Sequence, residues 1–163
     1  MGMENNLTKR LNYGAIGEKK FESFCKRHNI LFKELGFNNR EGYQMDKDMF
    51  YKIPKFIKSM PDYMMIKNKF HFVECKMADK STGTHVKIKE QDIQEYAKWA
   101  TVDNLLFFIC NKLFDETYFV EYHYISDLIA NNNYDQGMYS ENGKYYYKVD
   151  MEDIRRVGRE IWI

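Results

Sequence analysis

The chain has 163 residues, 44% of them apolar, which is enough for one domain with its own hydrophobic core and too much for a disordered segment. Twenty-five basic residues against 24 acidic ones leave a net charge of +1, so no global basic surface marks the protein for a polyanion. No apolar run approaches the roughly 20 residues of a bilayer span, and the N-terminal segment lacks the apolar stretch of a signal peptide. Residence in the cytoplasm of its cell or host is therefore expected. Gly2 invites a myristoylation reading, but Asn6 fills the place where that motif needs Ser or Thr. Cys25, Cys75 and Cys110 form no CxxC pair, and Cys25 with His28 is the only near pair of zinc-ligand types. Buried thiols acting as small hydrophobes are expected instead.

Apolar residues at helical spacing (Ile16, Phe21, Phe24, Cys25) predict a helix over residues 13–27. Residues 31–35 read as a short strand. Residues 36–60 are irregular and rich in Asn, Lys and Asp, with Pro54 breaking any helix; a loop of that length is functional or mobile. Two strands follow at 62–66 and 70–76, joined by the turn Lys67-Asn68-Lys69. A Ser/Thr/Gly loop over 80–85 leads to a helix over 89–100. The apolar run 105–110 is a buried central strand, 117–124 a further strand, and 125–130 a short helix. After a surface loop of three asparagines come a last strand at 144–149 and a helix at 151–157. The pattern is α/β: one domain over residues 1–163, a mixed β-sheet flanked by helices.

The 62–76 hairpin carries the chemistry. Side chains alternate faces along a strand, so Glu74 and Lys76 project to one side while Val73 and Cys75 point to the other. A tight turn brings Asp62 back toward the end of the second strand, and the three polar residues converge there. Two carboxylates and a lysine suit phosphodiester hydrolysis. Hard oxygen ligands hold Mg²⁺, the metal activates water and offsets developing charge, and the lysine positions or deprotonates the attacking water. The carbonyl of Cys75 would be a further ligand. As a bare pattern, one Glu–Lys pair on a surface hairpin needs no catalytic explanation.

In order along the chain, these residues resemble the motifs of the PD-(D/E)xK nuclease superfamily, most closely its small Holliday-junction-resolvase-like and phage-type members. The matching residues are Pro61-Asp62, then Glu74-Cys75-Lys76, with Gly14-Ala15-Ile16-Gly17-Glu18 upstream, expected to open a helix. The resemblance spans roughly residues 13–110. It implies a restriction-endonuclease-like core with a four-stranded mixed sheet, Mg²⁺ or Mn²⁺ as cofactor, and DNA as partner. It implies the cytoplasm of a bacterium or phage-infected host as the setting. Asp62, Glu74, Cys75 and Glu18 would ligate metal, with Glu22 one turn beyond Glu18. Lys76 would act on water, and Gln91, with Gln94 as its substitute, would orient that water. Beside such a site Lys80, His85, Lys87 and Lys89 become phosphate-contact candidates.

One site per chain cuts both strands of a duplex only as a homodimer or in two successive events. A restriction or homing-type endonuclease reading bases with residues 36–60, and a catalytically silent DNA-binding module, are the competing readings. His71, on the strand face opposite Glu74, is expected in the core or an interface. Tyr96 and Trp99 are expected to pack on the sheet, and in Tyr145-Tyr146-Tyr147 alternate rings should face core and solvent.

Overall fold

The computed structural model describes residues 2–35, 47–140 and 142–161, with side chains from Tyr13 onward apart from Lys47. In chain order the elements are α1 (Gly2–Arg27), β1 (Leu31–Glu34), α2 (Lys47–Lys52), α3 (Lys55–Lys58), β2 (Tyr63–Ile66) and β3 (Phe70–Met77). Then come β4 (His85–Lys89), α4 (Glu90–Val102), β5 (Leu105–Asn111), β6 (Glu116–Glu121) and α5 (Tyr122–Asn131). β7 (Gln136–Met138), β8 (Tyr145–Asp150), α6 (Met151–Val157) and β9 (Arg159–Glu160) complete the described chain.

A six-stranded mixed sheet, ordered β1-β2-β3-β5-β6-β9, forms the centre, and β3 and β5 are its parallel pair. Because the β3 side chains alternate, the sheet has two apolar faces. Val73 joins Phe21, Phe24 and Cys25 of α1 on one of them. Phe72 joins Tyr96 of α4, Ile125 of α5 and Ile154 of α6 on the other. That second layer also holds a small antiparallel sheet, β4-β8-β7, whose Val86, Ile88 and Val149 are fully buried.

The α/β class and the mixed sheet between helices are as the sequence predicts. The sheet has six strands where the resemblance implied four, because β1 and β9 extend its edges. Residues 85–89 form β4, ahead of the helix the sequence placed from 89. β6 ends at Glu121 and α5 begins at Tyr122, where one strand had been expected through 124. Of the long irregular stretch, 36–46 lies outside the described residues, while 47–58 forms two short helices with Pro54 between them. α3 is fastened to α4: Phe56 stacks on Trp99 at 4.4 Å, and the Trp99 indole donates to the Phe56 carbonyl at 3.2 Å. The buried Glu95 holds Lys98 at 2.9 Å and Lys55 at 3.4 Å.

Candidate active site

Strand register assembles the site. β2 and β3 run antiparallel with Tyr63 opposite Val73, so one step further Asp62 lies level with Glu74. Asp62 is held there by its neighbour strand: the Cys75 amide donates to Asp62 Oδ2 at 2.8 Å. Lys76, two residues beyond Glu74 on the same face, is hydrogen-bonded and ion-paired to the Glu74 carboxylate. All three sit on the α4 side of the sheet, where Glu74 is 5% exposed.

A buried pair of carboxylates cannot both ionise freely. Burial, and then the Glu74 charge, push the Asp62 carboxyl well above the usual carboxylate range, against the opposing pull of Lys76 and the Cys75 amide. Burial works to lower the Lys76 ammonium, but Glu74, Asp92 and Asp62 together overcome it and hold the lysine above its ordinary value. With both carboxylates free of metal, Lys76 is thus held in its charged form.

Two residues that sequence reasoning did not place at the site belong to it. Tyr96 packs on the sheet as expected, with its ring against Phe107 at 5.8 Å. Its hydroxyl also faces the Glu74 charge, and burial, then the charges of Glu74, Asp92 and Asp62, raise its pKa well above the ordinary value and keep it protonated. The Lys76 ammonium lies 5.8 Å from the Tyr96 ring centroid. Asp92, one turn earlier on α4, contributes to the field at both Lys76 and Tyr96. Its four-residue spacing from Tyr96 puts both on one helix face. That spacing was the available signal.

Glu18 lies on α1, in the layer across the sheet, yet its charge is felt by Asp62 and Cys75. Its segment lies within α1, where the sequence had placed a helix start. Gly17 suits a close approach: a Cβ there would come within 2.9 Å of the Met77 sulfur and 3.9 Å of the Lys76 carbonyl. Tyr13 adds a tether, its hydroxyl donating to the Ala78 carbonyl at 3.0 Å. Glu22 accepts the Tyr63 hydroxyl at 2.9 Å. Gln91 is half-buried in the first turn of α4 beside Asp92, whereas Gln94 is exposed. Among the described residues, no group of three or more His, Cys, Asp or Glu is arranged to hold a metal ion.

Of the phosphate-contact candidates, Lys80 is exposed, Lys87 pairs with Asp79 at 3.5 Å, and Lys89 pairs with Asp92 at 3.8 Å. His85 begins β4, and its Nε2 is buried 3.9 Å from Asp79. Burial lowers the pKa of that imidazole, with Asp79 opposing. His71 lies on the α1 side, its Nδ1 buried without a hydrogen-bond partner.

No protein-family model and no curated protein matches the chain. Among solved structures, it is similar to a Holliday junction resolvase from the archaeal hyperthermophile Archaeoglobus fulgidus, with a TM-score of 0.53 at 9% identity, covering 90% of this chain and 95% of that one. A nuclease from a fusellovirus aligns with a TM-score of 0.41 at 12% identity, over 96% and 92% of the two chains. The resolvase likeness bears out the expected fold, a mixed sheet flanked by helices.

Proposed function

We propose that the protein is a metal-dependent endonuclease that hydrolyses DNA phosphodiester bonds at the Asp62–Glu74–Lys76 centre. The observation that carries this reading is the register of β2 on β3, which sets Asp62 level with Glu74 and puts Lys76 on the same face. The resolvase-like fold supports it.

The donor set fits a hard divalent cation. Asp62 and Glu74 lie level on adjacent strands, and the Asp62 carboxyl is pushed up first by burial and then by the Glu74 charge, with Lys76 opposing. Asp62, Glu74 and the Cys75 carbonyl would hold Mg²⁺ or Mn²⁺, with Glu18 supporting the shell. Mg²⁺ commonly takes one or two carboxylates and completes its shell with water and phosphate. Bound there, the ion would lower the pKa of a coordinated water and offset charge on the phosphate.

The chain's own groups do the rest. Lys76 presents a fixed positive charge toward the anionic phosphorane and orients water through its donors. Lys76 and the Tyr96 hydroxyl would steady the Glu74 carboxylate beside the substrate. The Cys75 amide fixes Asp62 in place. Gln91 would orient the water, and Lys80, His85, Lys87 and Lys89 would contact flanking phosphates. A homodimer would bring two sites to one duplex, and a dimer mass in light scattering tests that arrangement.

The test is cleavage of a mixed panel (supercoiled plasmid, linear duplex, single strand and four-way junction) with Mg²⁺, with Mn²⁺ and with chelator. Lys76→Ala and Asp62→Asn run beside the wild type. Metal-dependent cutting that is lost in both variants supports the reading, and the preferred substrate names the specificity. A folded wild type that binds DNA and cuts nothing turns the site into a binding surface.

A further inference from the structure

The small sheet β4-β8-β7 turns Val86 and Ile88 of β4 and Val149 of β8 into the core. The alternate residues must therefore lie on its outer face. Register places Lys87 opposite Lys148 and Lys89 opposite Tyr146 there, with Gly137 of β7 beside Tyr146 on the other flank. Like charges directly opposite each other destabilise a strand pair. Asp79 relieves only one of the two, at 3.5 Å from Lys87, while Lys148 forms no ion pair among the described residues. A side chain on Gly137 would collide with the Tyr146 ring, its Cβ coming within 2.4 Å of ring atoms. Glycine thus lets that ring lie across the sheet, with Tyr139 at 4.5 Å and the Lys87 ammonium 5.4 Å from its centroid.

We propose that this face holds the single-stranded nucleic acid that flanks the cleavage site, with phosphates on Lys89, Lys87 and Lys148 and a base stacked on Tyr146. The inference rests on the nuclease reading above. Same-face residues of a strand recur about every 6.6 Å, a spacing close to that of successive phosphates in an extended single strand. Aromatic rings flanked by lysines bind single strands without regard to sequence, because every base presents a flat face. The strip is continuous with the candidate active site: Lys89 pairs with Asp92, whose field acts on Lys76. At its other end Lys148 itself lines a cavity of ≈ 430 Å³, together with Asp135 and Asp150. Those acids set the far limit of the path.

The experiment measures binding of a labelled oligothymidylate by fluorescence anisotropy, in chelator so that nothing is cut, across a salt series. Tyr146→Leu is expected to weaken binding roughly 5- to 150-fold, while Tyr146→Phe, which keeps the ring, stays near wild type. Lys148→Gln is expected to reduce the slope of log affinity against log salt by about 0.7. Thermal melts establish that each variant is folded, and Lys148→Gln still decides the matter if Tyr146→Leu does not fold. Unchanged affinity and slope in folded Lys148→Gln would overturn the proposal. Equal losses on single strand and on duplex would overturn its single-strand character. Wild-type protein that cuts with Mg²⁺ while these variants bind normally would remove the strip and leave the nuclease. Variant-sensitive binding without any metal-dependent cutting would do the reverse.

Discussion

The Cys75 amide donates to the Asp62 carboxylate across the β2–β3 pair, and through that bond one strand sets the position of a side chain on the other. It also holds a buried acid beside a second one, and the consequences of that arrangement can be measured.

Asp62 gives the first prediction. Its carboxyl is raised in the fold above its unfolded value. The folded chain therefore binds more protons than the unfolded one between those two values, and stability must fall as pH rises through that window. Without divalent metal, melting temperature should drop as pH rises from the ordinary carboxylate range toward the raised Asp62 value. Mg²⁺ should restore it. Asp62→Asn should flatten the profile and raise stability at neutral pH by about 0.5–2 kcal/mol. A metal-free melting temperature that climbs over that range would contradict the assignment.

Lys76 is the countercharge for Glu74 and Asp62. Lys76→Ala should destabilise the protein at neutral pH by about 3 kcal/mol, because an uncompensated carboxylate is left buried. The loss should shrink in acid, where protonation of Asp62 removes one of the charges Lys76 offsets. Urea melts of both proteins at acid and neutral pH check this.

Tyr96→Phe removes the hydroxyl that faces the Glu74 charge and keeps the ring in the core. A hydrogen bond to a charged group contributes about 1.5–3 kcal/mol. The variant should be destabilised by that order and should cut more slowly. Unaltered stability and rate would remove Tyr96 from the site.

Burial raises the Cys25 thiol to about 12 and the Cys110 thiol to about 11, and lifts Cys75 well above the usual thiol range. Since the thiolate is the reactive form, none of the three should alkylate in the native protein at pH 8. All three should label in denaturant. Mass spectrometry after iodoacetamide treatment distinguishes the two cases.

The parts of the site legible in the sequence were those set by period-two alternation. Glu74 and Lys76 share a face because they are two apart in a strand, and α6 appeared at its full extent over 151–157. β4 was hidden by composition: Val86 and Ile88 are its only apolar residues, and they stand among lysines after a Ser/Thr/Gly turn that looks like loop. The Tyr96 hydroxyl was hidden for another reason. Spacing reports which helix face a residue occupies, and only the packing of α4 over β3 brings that oxygen to Glu74. The upstream reach of α1 was obscured by Asn12 and Gly14, which weaken helix propensity locally.

Single-turnover cleavage of the preferred DNA by wild type and Glu74→Gln, with and without Mg²⁺, is the most direct test. Glu74→Gln keeps the size of the side chain and an oxygen for Tyr96 while removing the charge. The expected result is metal-dependent cutting by wild type and a loss of about 10²–10³-fold in the variant, the scale of removing one preorganised electrostatic group. Cutting by folded Glu74→Gln at the wild-type rate would contradict the account.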